Sequence, residues 1–177
     1  MSGCSGGCGS CGGCGEPQEY KTWAGVDRIP AFEIEGVSSM ISGGDDAVKD
    51  IDALWEEFFG QQDGLKAEDC TDDAIYAVYS DYEGDYTQSY RLTIGYKASA
   101  QDGKELPENM HRVQVKEDNY GLMSTAGKQP EMLKEAWTSI WQSDFDRRYK
   151  TDFEVYSPQF TEGGVHEALI AVGVNVD

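Results

Sequence analysis

The sequence predicts an α+β fold: two β-α-β-β units in tandem, forming a pseudo-two-fold antiparallel sheet with two main helices flanking a ligand groove. Three observations predict it. Leu54-Trp55-Glu56-Glu57-Phe58-Phe59 is echoed by Ala136-Trp137-Thr138-Ser139-Ile140-Trp141. Ala77-Val78-Tyr79-Ser80 is echoed by Glu154-Val155-Tyr156-Ser157. Both echoes stand in the same order within the same succession of extended and helical segments.

The first unit opens with an extended stretch over 31–42, where Phe32, Ile34 and Val37 alternate with a break at Gly36 that reads as a bulge. Gly43-Gly44 turns the chain into a helix. Val48, Ile51, Leu54, Trp55, Phe58 and Phe59 recur there at helical spacing, and Gly60 is a natural stop. Two strands rich in Tyr, Ile and Val follow, over 74–79 and 89–98. In the second unit, 111–116 and 120–124 are extended. Pro130 sits at the first position of a helix whose apolar face carries Met132, Leu133, Ala136, Trp137, Ile140 and Trp141. Strands over 152–157 and 165–174 close it. Matched residues differ by 85 at Gly36/Gly121, 82 at Trp55/Trp137 and 77 at Tyr79/Tyr156, so the second copy has shorter connections. One unit spans about 26–100 and the other about 108–177. Residues 1–19 read as a flexible Gly/Cys-rich tail and 20–177 as one domain.

The 177 residues are enough for one substantial core. No apolar run approaches a membrane span and no basic, apolar leader opens the chain, which leads to the expectation of a soluble, cytoplasmic protein. The net charge of −19 disfavours direct binding of nucleic acid, whose phosphates need Lys and Arg, and attracts cationic small molecules over a short, screened range. Most of these carboxylates are expected to be solvated surface.

In the tail, Cys4, Cys8, Cys11 and Cys14 follow a C-x3-C-x2-C-x2-C spacing. Four thiolates at these intervals can surround one zinc or ligate an iron–sulfur cluster. All four lie within eleven residues without apolar neighbours, and a Gly/Ser/Cys tract is equally the composition of a disordered tail. The repeats themselves require no cofactor. His111 and His166 share no ligand spacing, and no Ser-His-Asp, Cys-His or phosphate-loop motif is present.

The units resemble the GyrI-like domain, the effector-binding domain of AraC-type and MerR-type regulators. The resemblance rests on Ile29-Pro30-Ala31-Phe32 with Gly36-Val37, on Ala53-Leu54-Trp55-Glu56-Glu57-Phe58, on Glu135-Ala136-Trp137 and on Asp152-Phe153-Glu154-Val155-Tyr156. It covers about residues 26–177, and the tail lies outside it. It implies a groove between the halves that binds small organic molecules, often cationic and aromatic, with the acidic residue of the last motif, here Glu154, facing the ligand. No DNA-binding domain of the regulators' kind is recognised in the sequence, so regulation by direct DNA binding is not expected.

Glu154 and Tyr156 point to one face of their strand. A carboxylate in an apolar strand is costly to bury unless paired. Glu154 is therefore a counter-charge for a cation, a general base with a raised pKa, a salt-bridge partner of a nearby Arg or Lys, or an exposed edge residue. Trp55, Tyr79, Tyr96, Trp137 and Trp141 are candidates for the groove wall, with core packing as the alternative for each. The leading reading is a stand-alone small-molecule-binding protein. The rivals are a hydrolase of reactive electrophilic natural products, using Glu154 with Tyr79 or Tyr156, and an inhibitor acting by contact with a protein partner such as a topoisomerase.

Overall fold

The computed structural model describes residues 20–65, 74–84, 87–98, 106, 108, 110–127, 131–156 and 166–176. The tail cysteines, the candidate metal ligands, lie outside them, as do Pro130 and Ser157. Among the described residues, eight strands and two helices follow in the order β1 (Tyr20–Ile29), β2 (Phe32–Ile41), a 3-10 turn (Gly44–Asp46), α1 (Ala47–Leu65), β3 (Ile75–Ser80), β4 (Tyr90–Lys97), β5 (Met110–Val115), β6 (Asp118–Gly127), α2 (Glu131–Trp141), β7 (Arg147–Tyr156) and β8 (His166–Val174). The strands form one antiparallel sheet ordered β1-β6-β8-β7-β3-β4-β2-β5. The two predicted units are β2-α1-β3-β4 and β6-α2-β7-β8, and they join where β3 pairs with β7.

A strand not foreseen in the sequence, β1, runs along β6, while β5 runs along β2. Each unit therefore lends its leading strand to the other. The exchange turns at two corners, Pro30-Ala31 and Lys116-Glu117, where Ile29 faces Asp118 and Phe32 faces Val115. Proline suits such a corner because it cannot donate a ladder hydrogen bond. The sequence hid β1 because its register shifts between Trp23 and Gly25, and Gly25 has φ +91. A bulge of this kind breaks the two-residue period, and the exposed Trp23 and Val26 blur what remains.

Two expectations are corrected. Gly36 is not a bulge: β2 keeps regular register through it on both sides, and it stands opposite Gly95. A Cβ there would lie 1.9 Å from the Ile94 carbonyl oxygen, so this glycine permits close approach of two backbones. Gly60 does not end α1, which continues to Leu65. Gly60 is exposed with nothing near its missing Cβ, and an exposed mid-helix glycine costs only about 1 kcal/mol.

The sheet is apolar on both faces. On one, Leu54 and Phe58 of α1 and Met132, Ala136 and Ile140 of α2 bury against the strands. Each contributes on the order of 2 kcal/mol, less for Ala136. On the other, Ile34, Val78, Val113, Val115, Tyr120 and Phe153 form a second core. Burial on both faces explains why all six residues of β3 are buried and why its sequence reads as a continuous apolar run.

Candidate ligand site at the seam of the two halves

The β3–β7 seam sets Ala77 directly opposite Glu154, Tyr79 opposite Asp152 and Ile75 opposite Tyr156. Alternation along β7 turns Asp152, Glu154 and Tyr156 toward the helices and Phe153 toward the second core. Glu154 is only 1% exposed, on a central strand, so the edge-strand alternative does not hold.

Three donors converge on its carboxylate. The Tyr79 hydroxyl donates to Oε1 at 2.6 Å. The Tyr156 hydroxyl donates to Oε2 at 2.8 Å, and the Trp137 indole N–H donates to Oε2 at 3.2 Å. Burial pushes the Glu154 pKa above the ordinary 4.5, while the hydrogen bonds from Tyr79, Tyr156 and Trp137 pull it back in part. Burial also drives the Tyr79 and Tyr156 hydroxyls well above 10.0, with the charge of Glu154 next in size, so both are held as neutral donors. No Lys or Arg pairs with Glu154 among the described residues. The salt-bridge alternative falls instead to its neighbour: Arg147 binds Asp152 at 2.6 Å, with side chains 3% and 0% exposed.

Aromatic rings enclose the carboxylate. Trp55 of α1 meets Tyr156 edge-on at 5.3 Å, and Trp137 of α2 meets Tyr79 at 5.5 Å. Both helices thus send a tryptophan to the seam from matched positions. Tyr90 packs on Tyr79 at 5.6 Å and has its own pKa raised to about 12, by burial first and by Glu154 second. Tyr96 lies deeper in the same apolar layer, 5.8 Å from Phe58. Trp141 is 45% exposed and reaches the cluster through Trp137, 6.3 Å away. Of the other tyrosines, Tyr76 and Tyr120 belong to the core on the opposite face.

A second polar group flanks the first and was not singled out in the sequence. Asp152 accepts from Arg147, from the Tyr82 hydroxyl at 2.6 Å and from the Gly173 N–H at 2.9 Å. The Arg147 guanidinium lies 5.7 Å from the Trp137 ring and 4.3 Å from that of Tyr149. Its Nε and Nη1 are buried without hydrogen-bond partners, leaving the aromatic faces as their main compensation. One indole, that of Trp137, thus touches both a buried carboxylate and a buried guanidinium. The signal that could have found this pair is Arg147-x4-Asp152 within one strand, but a register shift between the two conceals their common face.

The arrangement amounts to a buried carboxylate, fixed by three neutral donors and walled by rings, with no cationic partner among the described residues. It can hold a positive charge in a low-dielectric setting or exchange a proton. Among the described residues, no cluster of His, Cys, Asp and Glu could hold a metal ion, and no helix is long and apolar enough to cross a membrane.

Residues 27–172 match the family model of Cass2, the integron-associated effector-binding proteins. The chain belongs to this family. A Cass2-type protein with a GyrI-like architecture agrees with the tandem units and with the resemblance carried by the Asp152–Tyr156 motif. Among solved structures, an integron cassette protein from the mobile metagenome of Vibrio cholerae shares 25% identity at a TM-score of 0.66, covering 89% of this chain and 100% of that one. A bacterial transcription regulation protein from Staphylococcus aureus MU50 aligns over 88% and 99% at a TM-score of 0.65 with 12% identity. SAV2435, whose structure holds tetraphenylphosphonium, aligns over 87% and 94% at a TM-score of 0.63 with 11% identity, showing the same fold. No curated protein sequence matches the chain.

Proposed function

We propose that this Cass2-family protein is a receptor for lipophilic aromatic cations, held against Glu154 between Tyr79, Tyr156, Trp55 and Trp137. The observation that carries the reading is the burial of Glu154 with three neutral hydrogen-bond donors but no Lys or Arg partner among the described residues. A protein keeps such a costly charge where a ligand supplies the missing positive partner. The aromatic walls add cation–π attraction of about 0.5–2 kcal/mol per ring. The binding of a phosphonium cation by a protein of the same fold supports the ligand class. Trp55 and Trp137 are both only partly buried, so either ring can swing aside to admit the ligand.

Tetraphenylphosphonium is the direct probe. At about 100 times Kd it adds about 2.7 kcal/mol, which for a chain of this size raises Tm by about 5–10 °C. Glu154→Gln abolishes most of that shift. An unchanged Tm with the wild-type protein, or an equal shift in the variant, removes the proposal.

The short Tyr79–Glu154 contact favours one second reading, a hydrolase in which Glu154 activates water and a tyrosine supplies the proton. Product analysis with a strained electrophile separates the two, because a pure receptor returns the substrate intact.

A further inference from the structure

A cavity of about 370 Å³ opens on the face of the sheet away from Glu154. Its size falls in the range of about 300–1,000 Å³ typical of small-molecule sites. Its charge runs against that of the chain. Arg112, Lys116, Arg148 and Lys150 line it, four of only 14 lysines and arginines in a protein of net charge −19, and only Asp81 and Asp118 oppose them. Arg112 is paired with Glu35, Arg148 with Asp118 at 2.8 Å, and Asp81 with Arg91 at 3.3 Å. Lys116 and Lys150 have no ion-pair partner among the described residues, and His111 lines the same wall. The cavity therefore presents surplus positive charge, with Ser80, Gln114 and Thr151 as neutral hydrogen-bonding groups.

β7 is irregular beside the cavity: its register shifts between Arg147 and Asp152, and within that stretch Tyr149 is held at φ +54. Arg148 and Lys150 line the cavity, while Arg147 and Tyr149 turn to the aromatic side. Among the described residues, the only other non-glycine with positive φ is Asp81, itself in the cavity wall. Bulges and strained residues of this kind persist where the surroundings over-determine them, often beside binding sites.

We propose that this cavity binds a small multivalent oxyanion, carrying a phosphate group or several carboxylates, at a site separate from Glu154. The chain's overall negative field is screened within about 8 Å at physiological salt, so the local cations decide. Calorimetric titration of the full chain at physiological ionic strength, with inorganic pyrophosphate and with citrate as separate probes, tests it. Saturable binding is expected for at least one probe, the preferred one distinguishing phosphate from polycarboxylate chemistry. Lys116→Gln combined with Lys150→Gln is expected to weaken it about tenfold or more. Glu154→Gln is expected to leave it unchanged, so this proposal and the cation site stand or fall separately. No saturation by either probe up to about 10 mM, or equal affinity in the double variant, overturns it.

Discussion

At the scale of residues, Glu154 should govern how stability depends on pH. Its folded pKa lies above its unfolded value, so its contribution to stability is fully present below the ordinary 4.5 and is lost as pH rises through the folded value. Subtracting the stability profile of Glu154→Gln from that of the wild type should isolate this loss, read by urea unfolding at several pH values. A flat difference would mean that Glu154 titrates normally. A bound cation favours the carboxylate, so affinity should rise with pH across the same window and binding should release protons. Tyr79→Phe should cost about 1–3 kcal/mol in denaturant unfolding, because it removes a donor and leaves a buried carboxylate oxygen unsatisfied. Glu154, Tyr79, Tyr156 and Trp137 were legible in the sequence because the repeat aligns them. The pairing of Arg147 and Tyr149 with this face was not, since the irregularity between Arg147 and Asp152 breaks the alternation by which residues are assigned to a face.

At the scale of elements, two glycines that look alike in sequence behave oppositely. Gly36 sits where β2 and β4 approach so closely that any Cβ meets backbone. Gly36→Ala should therefore destabilise by about 3 kcal/mol or more, since no flexible side chain can yield. Gly60 is in open space on α1, and Gly60→Ala should stabilise by about 0.5–1 kcal/mol through helix propensity. Thermal or urea unfolding of the two variants checks both signs. The apolar stripes of α1 and α2 and the runs of β3 and β4 were readable because each buries a periodic or continuous apolar set. Strand β1 was not, being a bulged edge strand with Trp23 and Val26 exposed. Its counterpart at the opposite edge, β5, was visible as an extended segment, but its loan to the other half depends on contacts distant in sequence.

At the scale of the whole molecule, the repeat and the sheet share one centre. The offset of 77 that relates Tyr79 to Tyr156 also relates Ala77 to Glu154, and these two residues face each other across β3 and β7. The pseudo-two-fold axis therefore passes between them. A strict copy would set two carboxylates face to face, and like charges directly opposite destabilise a sheet. The alanine leaves a single carboxylate on the axis, to which Trp137 of α2 donates, while Trp55 of α1 packs on its hydrogen-bond partner Tyr156. Ala77→Glu should restore the symmetry at the expense of stability, lowering Tm and raising the pKa of the paired carboxylates further. An unchanged Tm would argue that the seam tolerates charge freely and that Glu154 needs no counter-ion. The most direct test of the central claim is the affinity for tetraphenylphosphonium at neutral pH, measured by calorimetry for the wild type and Glu154→Gln with both shown to be folded. Saturable binding by the wild type is expected, with a loss of about tenfold or more in the variant, roughly 1.4 kcal/mol. Equal affinities, or no binding to either, would contradict it.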